Sequence, residues 1–545
     1  MRQSPCQDVF ARLGLPPTRA PQPTVPPAPR PAPGLDGLDA ARLAWRRRFL
    51  AALGGGASAG GATPLAPPAS ARRDPVLTLV HRITNGFQLA EYERARALGY
   101  EAYLEEQLAP ESIDDSALEE RLTRYPVLQM SPKEAYLAYQ ADPQVAYLDL
   151  KSATLTRAVN SRRQLQERMC EFWRDHLNID HDKELLWALL PEHERTVTQA
   201  HALGRVPEML SACAFSAAMQ VYLDNWLNVR GAPQENYGRE LMELHTLSIL
   251  GGYYESDVKE VSKCFTGWTL NGNPASPDWL RTTFEPGLHT PGRKFVLGQV
   301  IPDSKPHASA EHLPGQDEAQ AVIDLLGLHP STARFLATKL IRWFLNPEPP
   351  AALVERVADT YLATGGDVRA MLRVILAREN LAFSSPVYAP KFRRPYHYVC
   401  SLYRAFDGVV NNGNETMSFL TGMGHVPFDW APPTGYPDSV EAWGPPILPR
   451  WSFAAVLMRP FYGNFRGITL LGMAEVEARL ELDLPGGERR GLARKVNERL
   501  LGSQLPPREE ELVQEFIDGY PGSIDFPALF DCICLSVSLP GYQWY

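Results

Sequence analysis

The sequence predicts an all-α fold: one large multi-helix body with long irregular loops and at most a small β-hairpin. Three observations lead there. From Asp74 onward, apolar residues recur at the spacing of amphipathic helices. Start and stop residues bracket these segments, as in Ser131-Pro132-Lys133-Glu134, a capping box with proline at the first helical position. Candidate strands are few and short. A chain of 545 residues that is 44% hydrophobic and 21% charged has a globular balance, with material for one large core or two smaller ones.

Taken in order, 90–98 and 100–108 read as a helix pair around Gly99, with Pro110 beyond the second. Residues 150–177 read as one long helix whose apolar arc contains Leu165, Met169, Phe172, Trp173 and Leu177. Helices over 206–227 and 236–250 follow, the latter closed by Gly251-Gly252. Residues 256–265, 332–344, 367–377 and 394–406 continue the pattern. Residues 268–315 differ, being rich in Gly, Pro and Thr, with short candidate strands at 282–285 and 294–297. This excursion marks a potential subdivision of the folded region 74–545. A second irregular stretch, 424–450, is crowded with proline and aromatics, and ordered loops of that length are more often functional than filler.

Residues 1–73 lack the large apolar side chains needed to offset ordering entropy. Arg46-Arg47-Arg48-Phe49-Leu50, a weakly apolar Ala/Gly stretch and Ala69-Ser70-Ala71 resemble a twin-arginine export leader. Trp45 stands where Ser or Thr is usual, and a long extension precedes the motif. Export of an already folded protein to the periplasm or the outside is the expectation. The net charge of −9 argues against a nucleic-acid binder, and no run of eighteen apolar residues exists to span a membrane. Seven cysteines show no metal or disulfide spacing and read as small buried hydrophobes.

The densest chemistry lies between Gln234 and Trp268. On a helix Asn236, Glu240 and Glu243 form one polar stripe beside the apolar Tyr237, Leu241, Leu244 and Leu247. A carboxylate at that edge must be paired, protonated or metal-bound, since desolvating it alone costs several kcal/mol. Three readings follow. Glu240 and Glu243 form an ion-pair network with Arg239, Arg334, Lys339 or Lys391; or they bind a divalent metal with His176; or they act as acid and base with Asn236 and Arg239 beside them. His245 projects away from Glu243 in ideal helix geometry and cannot share the site unless the helix breaks. The E-x-x-H and H-E-x-x-H signatures are absent. So are a nucleophile elbow and a true P-loop, the GLHTPGRK stretch at 287–294 lacking its Lys and Ser/Thr. His181-Asp182 and His193 fall in a polar stretch and read as surface residues. Trp430, Tyr436 and Trp443 either form a stacking surface for a substrate or plug the helical body.

Several stretches together resemble the bacterial domain-of-unknown-function 1800 family. They are His81 to Phe87, ALGYEAYLEEQLAP (97–110), ERMCEFWRDHLNI (167–179), YLDN (222–225) and QENYGRELMELHTLSILGGY (234–253). DVKEVSKCFTGWT (257–269), His289 with Gly292 and Lys294, HPSTARFLATKL (329–340), Lys391 to Pro395 and PPTGYPDSVEAW (432–443) complete the set. The resemblance implies a helical, often exported protein without an agreed activity, and an exported protein partner encoded nearby. Gln234 stands where the family commonly has Asn, and Thr290 follows His289 where it tends to have Asp. Two functional expectations remain: an exported enzyme with a buried Glu/His site acting on an envelope or extracellular substrate, and a non-catalytic scaffold for another exported protein.

Overall fold

Helices carry the chain from Pro75 to Ser538, and several start where a side chain satisfies a free amide of the first turn. Asp74 Oδ1 accepts from Val76 N at 2.8 Å to begin Pro75–Ile83, and Asp367 Oδ1 accepts from Ala370 N at 2.8 Å to begin Val368–Ile375. The capping box forms as the sequence requires, with Ser131 N donating to Glu134 Oε2 at 2.8 Å ahead of the helix Pro132–Tyr139. This computed structural model describes residues 74–302, 313–382, 384–411, 413–445, 447–457, 468–469, 473–482, 489–522 and 524–545. The leader expectation for 1–73, with Arg46 to Leu50, therefore lies outside the described residues.

Beside 206–227, which divides into the helices Val206–Ala214 and Ala217–Tyr222 and a tight turn Asn225–Leu227, two helices depart from the sequence reading. The expected rod 150–177 is two helices, Pro143–Asn160 and Gln164–His176, broken at Ser161. Asp115, from a distant turn, accepts from Ser161 Oγ at 2.6 Å and from Arg162 N at 2.9 Å. Gln164 Nε2 then donates to Ser161 O at 2.7 Å, so the freed backbone groups find partners without a glycine or proline. The second departure concerns 236–250. Asn236–Glu240 is α-helical, but Leu241–Thr246 is a π-turn, with Leu247 N donating to Met242 O at 2.9 Å. A five-residue hydrogen-bond step rotates every later side chain relative to an α-helix. His245 consequently lies buried beside His176, its ring centroid 6.4 Å away.

The strands are short antiparallel pairs. Trp268–Leu270 pairs with Thr282–Phe284 and Lys294–Val296 with Gln299–Ile301, so the two foreseen strands belong to different hairpins. Val409–Val410 with Ile468–Thr469 makes a third pair. The excursion is pinned to the body through a buried triad, Lys294 Nζ lying 2.5 Å and His289 Nε2 3.3 Å from Glu318 Oε2. Its Leu270, Trp279, Val296 and Ile301 belong to the first core.

That first core gathers Leu79, Tyr103, Leu165, Trp173, Met242, Leu336 and Phe344, while a second gathers Tyr398, Phe453, Val513, Phe516 and Ile533. The helix Pro143–Asn160 feeds both, with Leu150 and Ala153 in one and Leu155 and Ala158 in the other. Burial of each such large side chain contributes about 1.5–3 kcal/mol, which is why the helices need tertiary packing to persist. A small aromatic cluster of Phe392, Tyr436, Trp443 and Trp544 is separate from both. Cys170, Cys213, Cys264, Cys400 and Cys532 are free and buried, as their apolar neighbours suggested. Among the described residues no helix is long and apolar enough to cross a membrane.

Candidate active site

Beside the aromatic cluster lies a cavity of about 610 Å³. The helix Gln164–His176 contributes Phe172 and Asp175, and the helix Pro330–Phe344 contributes Lys339, Arg342 and Trp343. Lys391 and Phe392 precede the helix Pro395–Ala405, the loop 434–441 adds Thr434, Tyr436 and Asp438, and Trp544 closes a further side. Gly435 lets the loop come this close. With φ of +71° it adopts a conformation side chains resist, and a Cβ there would fall 1.9 Å from Asp175 O.

Beneath the cavity the charges are arranged as a ladder. Arg168 Nη1 donates to Glu171 Oε2 at 2.5 Å, and Arg394 spans Glu171 Oε1 and Asp175 Oδ2. Both guanidiniums lie over the Trp343 ring, 4.7 and 4.4 Å from its centroid. Burial alone would raise Glu171, but Arg168 and Arg394 outweigh it and hold its carboxyl low. Asp175 is left with one shared guanidinium. Burial, helped by the neighbouring Glu171 charge, pushes it up to about 6. Burial brings both lysines of the wall down to about 8, and they differ in what holds them. Lys391 Nζ donates to Asp438 Oδ2 at 2.7 Å and to Arg342 O, whereas Lys339 Nζ donates to a neutral acceptor, His176 Nδ1, at 2.8 Å. Burial, with the nearby Arg342 charge, brings Lys339 down to about 8 despite Asp175.

His176 is oriented from both sides. Its Nε2 lies 3.1 Å from His245 O, which accepts, so Nδ1 is the atom free to accept from Lys339. Burial, with the charge of Lys339, drives its proton affinity well below the usual imidazole range, so the ring stays neutral. Burial does the same to His245, down to about 3, and its Nε2 meets no partner among the described residues.

The other expected residues lie elsewhere. Glu240 and Glu243 keep to their helix. Burial, then the charge of Glu243, raises Glu240, while Arg239 Nη1 lies 3.7 Å from Glu243 Oε1 and Nη2 lies 2.6 Å from Glu255 Oε1. Asn236 Nδ2 donates to Leu223 O at 3.3 Å. Glu240 and Glu243 do not line the cavity, and their oxygens are not gathered with His176 into one ligand set. Among the described residues the set that is gathered is Asp180, His181 and Asp429, within 4.8 Å of one another. Lys151 Nζ already sits 2.8 Å from Asp429 Oδ1 and 3.2 Å from His181 Nε2, neutralising that cluster. Of the three aromatic residues, Tyr436 lines the cavity. Its hydroxyl also donates to Val426 O at 2.8 Å, and Trp443 Nε1 donates to Pro437 O at 2.7 Å, which fixes the loop. Trp430 lies tilted against Tyr436, ring centroids 4.8 Å apart, and does not line the cavity.

Sequence reasoning named His176 as a metal ligand, where it accepts from Lys339, and Tyr436 as a stacking or plugging residue; it treated Lys339 and Lys391 only as counter-ions and passed over Asp175 and Asp438. One signal was available. The stretches 167–179, 329–340, 391–395 and 432–443, which carry the family resemblance, supply Phe172, Asp175, Lys339, Lys391, Phe392 and the loop residues of this cavity, while Arg342, Trp343 and Trp544 lie outside them. The family model described as "Protein of unknown function (DUF1800)" matches residues 78–544. No curated protein and no solved structure matches the chain.

Proposed function

The chain belongs to the DUF1800 family, and we propose that the cavity beside Trp343 is the active site of an acid–base enzyme. The observation that carries the proposal is the pairing of opposite roles in one wall. Lys339, down to about 8 and resting on neutral His176, is a base close to neutrality, and Asp175, up to about 6, is an acid. Aromatic faces at Phe172, Trp343, Phe392 and Tyr436 suit a substrate with a ring or extended apolar part. This keeps the expected enzyme and its histidine, and moves the acid–base work from Glu240 and Glu243 to Asp175 and Lys339. The twin-arginine-like segment at Arg46 to Leu50 supports an exported setting, periplasmic or extracellular. A divalent metal with Glu240, Glu243 and His176 has no gathered ligand set in its favour, so no step is assigned to one.

Competitive acetylation across pH, read by mass spectrometry, tests the premise: Lys339 should half-titrate near 8, and a value near 10.5 would remove the base. A substrate panel of polymers, esters, amides and carbonyl compounds is the functional arm. Turnover should disappear in Lys339→Met and Asp175→Asn. Turnover that survives in both places the site elsewhere, and stoichiometric co-purification of a partner seated over the cavity favours the scaffold reading.

A further inference from the structure

Lys339 differs from the other cations around the cavity in what holds it. Lys391 is locked by Asp438 and Arg342 O, and Arg394 by Glu171 and Asp175. Lys339 has no carboxylate within ion-pair distance among the described residues; its Nζ meets His176 Nδ1 and the Phe335 ring, whose centroid is 5.4 Å away. An amine hydrogen-bonded to a neutral imidazole, on the wall of an aromatic-lined cavity, has the setting of a nucleophile. Arg342, one turn further along the helix and on the same wall, likewise has no carboxylate at ion-pair distance among the described residues.

We propose that Lys339 is a nucleophilic amine that condenses with the carbonyl of an oxo-acid, whose carboxylate is met by Arg342 and whose apolar part lies on the aromatic faces. The proposal rests on the acid–base reading of the cavity and gives it a substrate class. The step balances without an external oxidant or reductant. The Lys339 Nζ lone pair forms a C–N bond to the carbonyl carbon, and the carbonyl electron pair moves onto oxygen. One proton passes from nitrogen to that oxygen, with His176 Nδ1 placed to hold the Nζ–H during attack. A second proton, from the Asp175 carboxyl, converts the hydroxyl into departing water. The products are an iminium on Lys339, an Asp175 carboxylate and one water. Burial favours the reacting forms, lowering Lys339 toward its free amine and raising Asp175 toward its protonated carboxyl.

The test is reductive trapping on the whole protein with cyanoborohydride and either glyoxylate, pyruvate or the uncharged propanal, followed by peptide mapping. At pH 7 the glyoxylate or pyruvate adduct should concentrate on Lys339, on the order of one hundred-fold above an ordinary surface lysine. It should fall about ten-fold in Arg342→Gln, with propanal labelling unchanged. Lys339→Met should abolish the adduct, and Lys339→Arg, which retains the charge, should abolish it equally while preserving the melting temperature. If Lys339 titrates near 8 yet traps none of the three probes, the covalent role is overturned and the acid–base reading survives. Titration near 10.5 overturns both. Equal labelling by propanal and the oxo-acids overturns the assignment of Arg342.

Discussion

A lysine that sits low on the proton-affinity scale destabilises the fold it belongs to, and this gives Lys339 a measurable signature. Its ammonium titrates near 8 when folded and near 10.5 when unfolded, so between those values the unfolded chain binds more protons. Stability from this group therefore rises as pH climbs from 8 to 10.5, and the full burden is present below 8. Lys339→Met should gain about 1–2 kcal/mol at pH 7 in urea unfolding, after discounting for partial exposure and the lost His176 contact. The gain should vanish above about pH 10.5. Glu171 behaves oppositely, because Glu171→Gln leaves Arg168 and Arg394 facing one another without their shared carboxylate. That variant should lose about 3–5 kcal/mol, against about 0.5 kcal/mol or less for Glu243→Gln, whose partner Arg239 is a third exposed. At this scale the sequence was half legible. The helical stripe correctly placed Glu240 at a desolvated edge, since that needs only local periodicity. Asp175 and Lys339 lie far apart in sequence, and their shared wall depends on packing between two helices and a loop, which local pattern does not encode.

Helix identity was readable from apolar spacing and caps, but continuity was not. The break at Ser161 has no breaker residue; its backbone groups are satisfied by Asp115 and Gln164. Asp115→Ala removes two buried hydrogen bonds at that joint and should cost about 1–3 kcal/mol, with loss of amide protection concentrated at 160–164. The π-turn at Leu241–Thr246 was equally hidden, and it accompanies the placement of His245 beside His176. Where helices touch, the sequence offers one further handle. Gly238 of the Asn236–Glu240 helix meets the helix Glu255–Cys264, and a Cβ at 238 would lie 2.6 Å from Ser262 Oγ but 3.3 Å from the nearest backbone atoms. Gly238→Ala should therefore destabilise by about 1–3 kcal/mol, and adding Ser262→Ala should recover part of the loss in the same denaturation assay. Failure of Ser262→Ala to restore anything would show that backbone, not the hydroxyl, sets the approach.

Over the whole molecule the titrating groups that dominate in acid are histidines sealed into the two cores and the cavity wall. Burial lowers His176, His397 and His425 well below the usual imidazole value, and takes His193 to about 4 and His245 to about 3. His193, read from sequence as a surface residue, is in fact buried, with Nδ1 2.8 Å from Ser216 Oγ. Each such ring is neutral when folded but takes up a proton near 6.5 when unfolded. Below that pH the unfolded chain binds more protons, so stability falls as pH falls, by about 1.4 kcal/mol per unit for each ring. Asp175, pushed by burial to about 6, and Glu509, pushed by burial to about 7, oppose this because their folded carboxyls bind the proton first, and the raised Glu167 and His181 act the same way, so the net fall is smaller than five rings' worth. Calorimetry from pH 8 to pH 5 should show a melting temperature that is nearly level above 7 and drops steeply below 6. His193→Gln should flatten the slope by about one ring's share even if it lowers the plateau, since the effect arises from proton uptake and not from the contact removed. A melting temperature unchanged from pH 7 to pH 5 would mean that these imidazoles reach water in the folded protein, and with it the neutral state assigned to His176 beside Lys339 would fall.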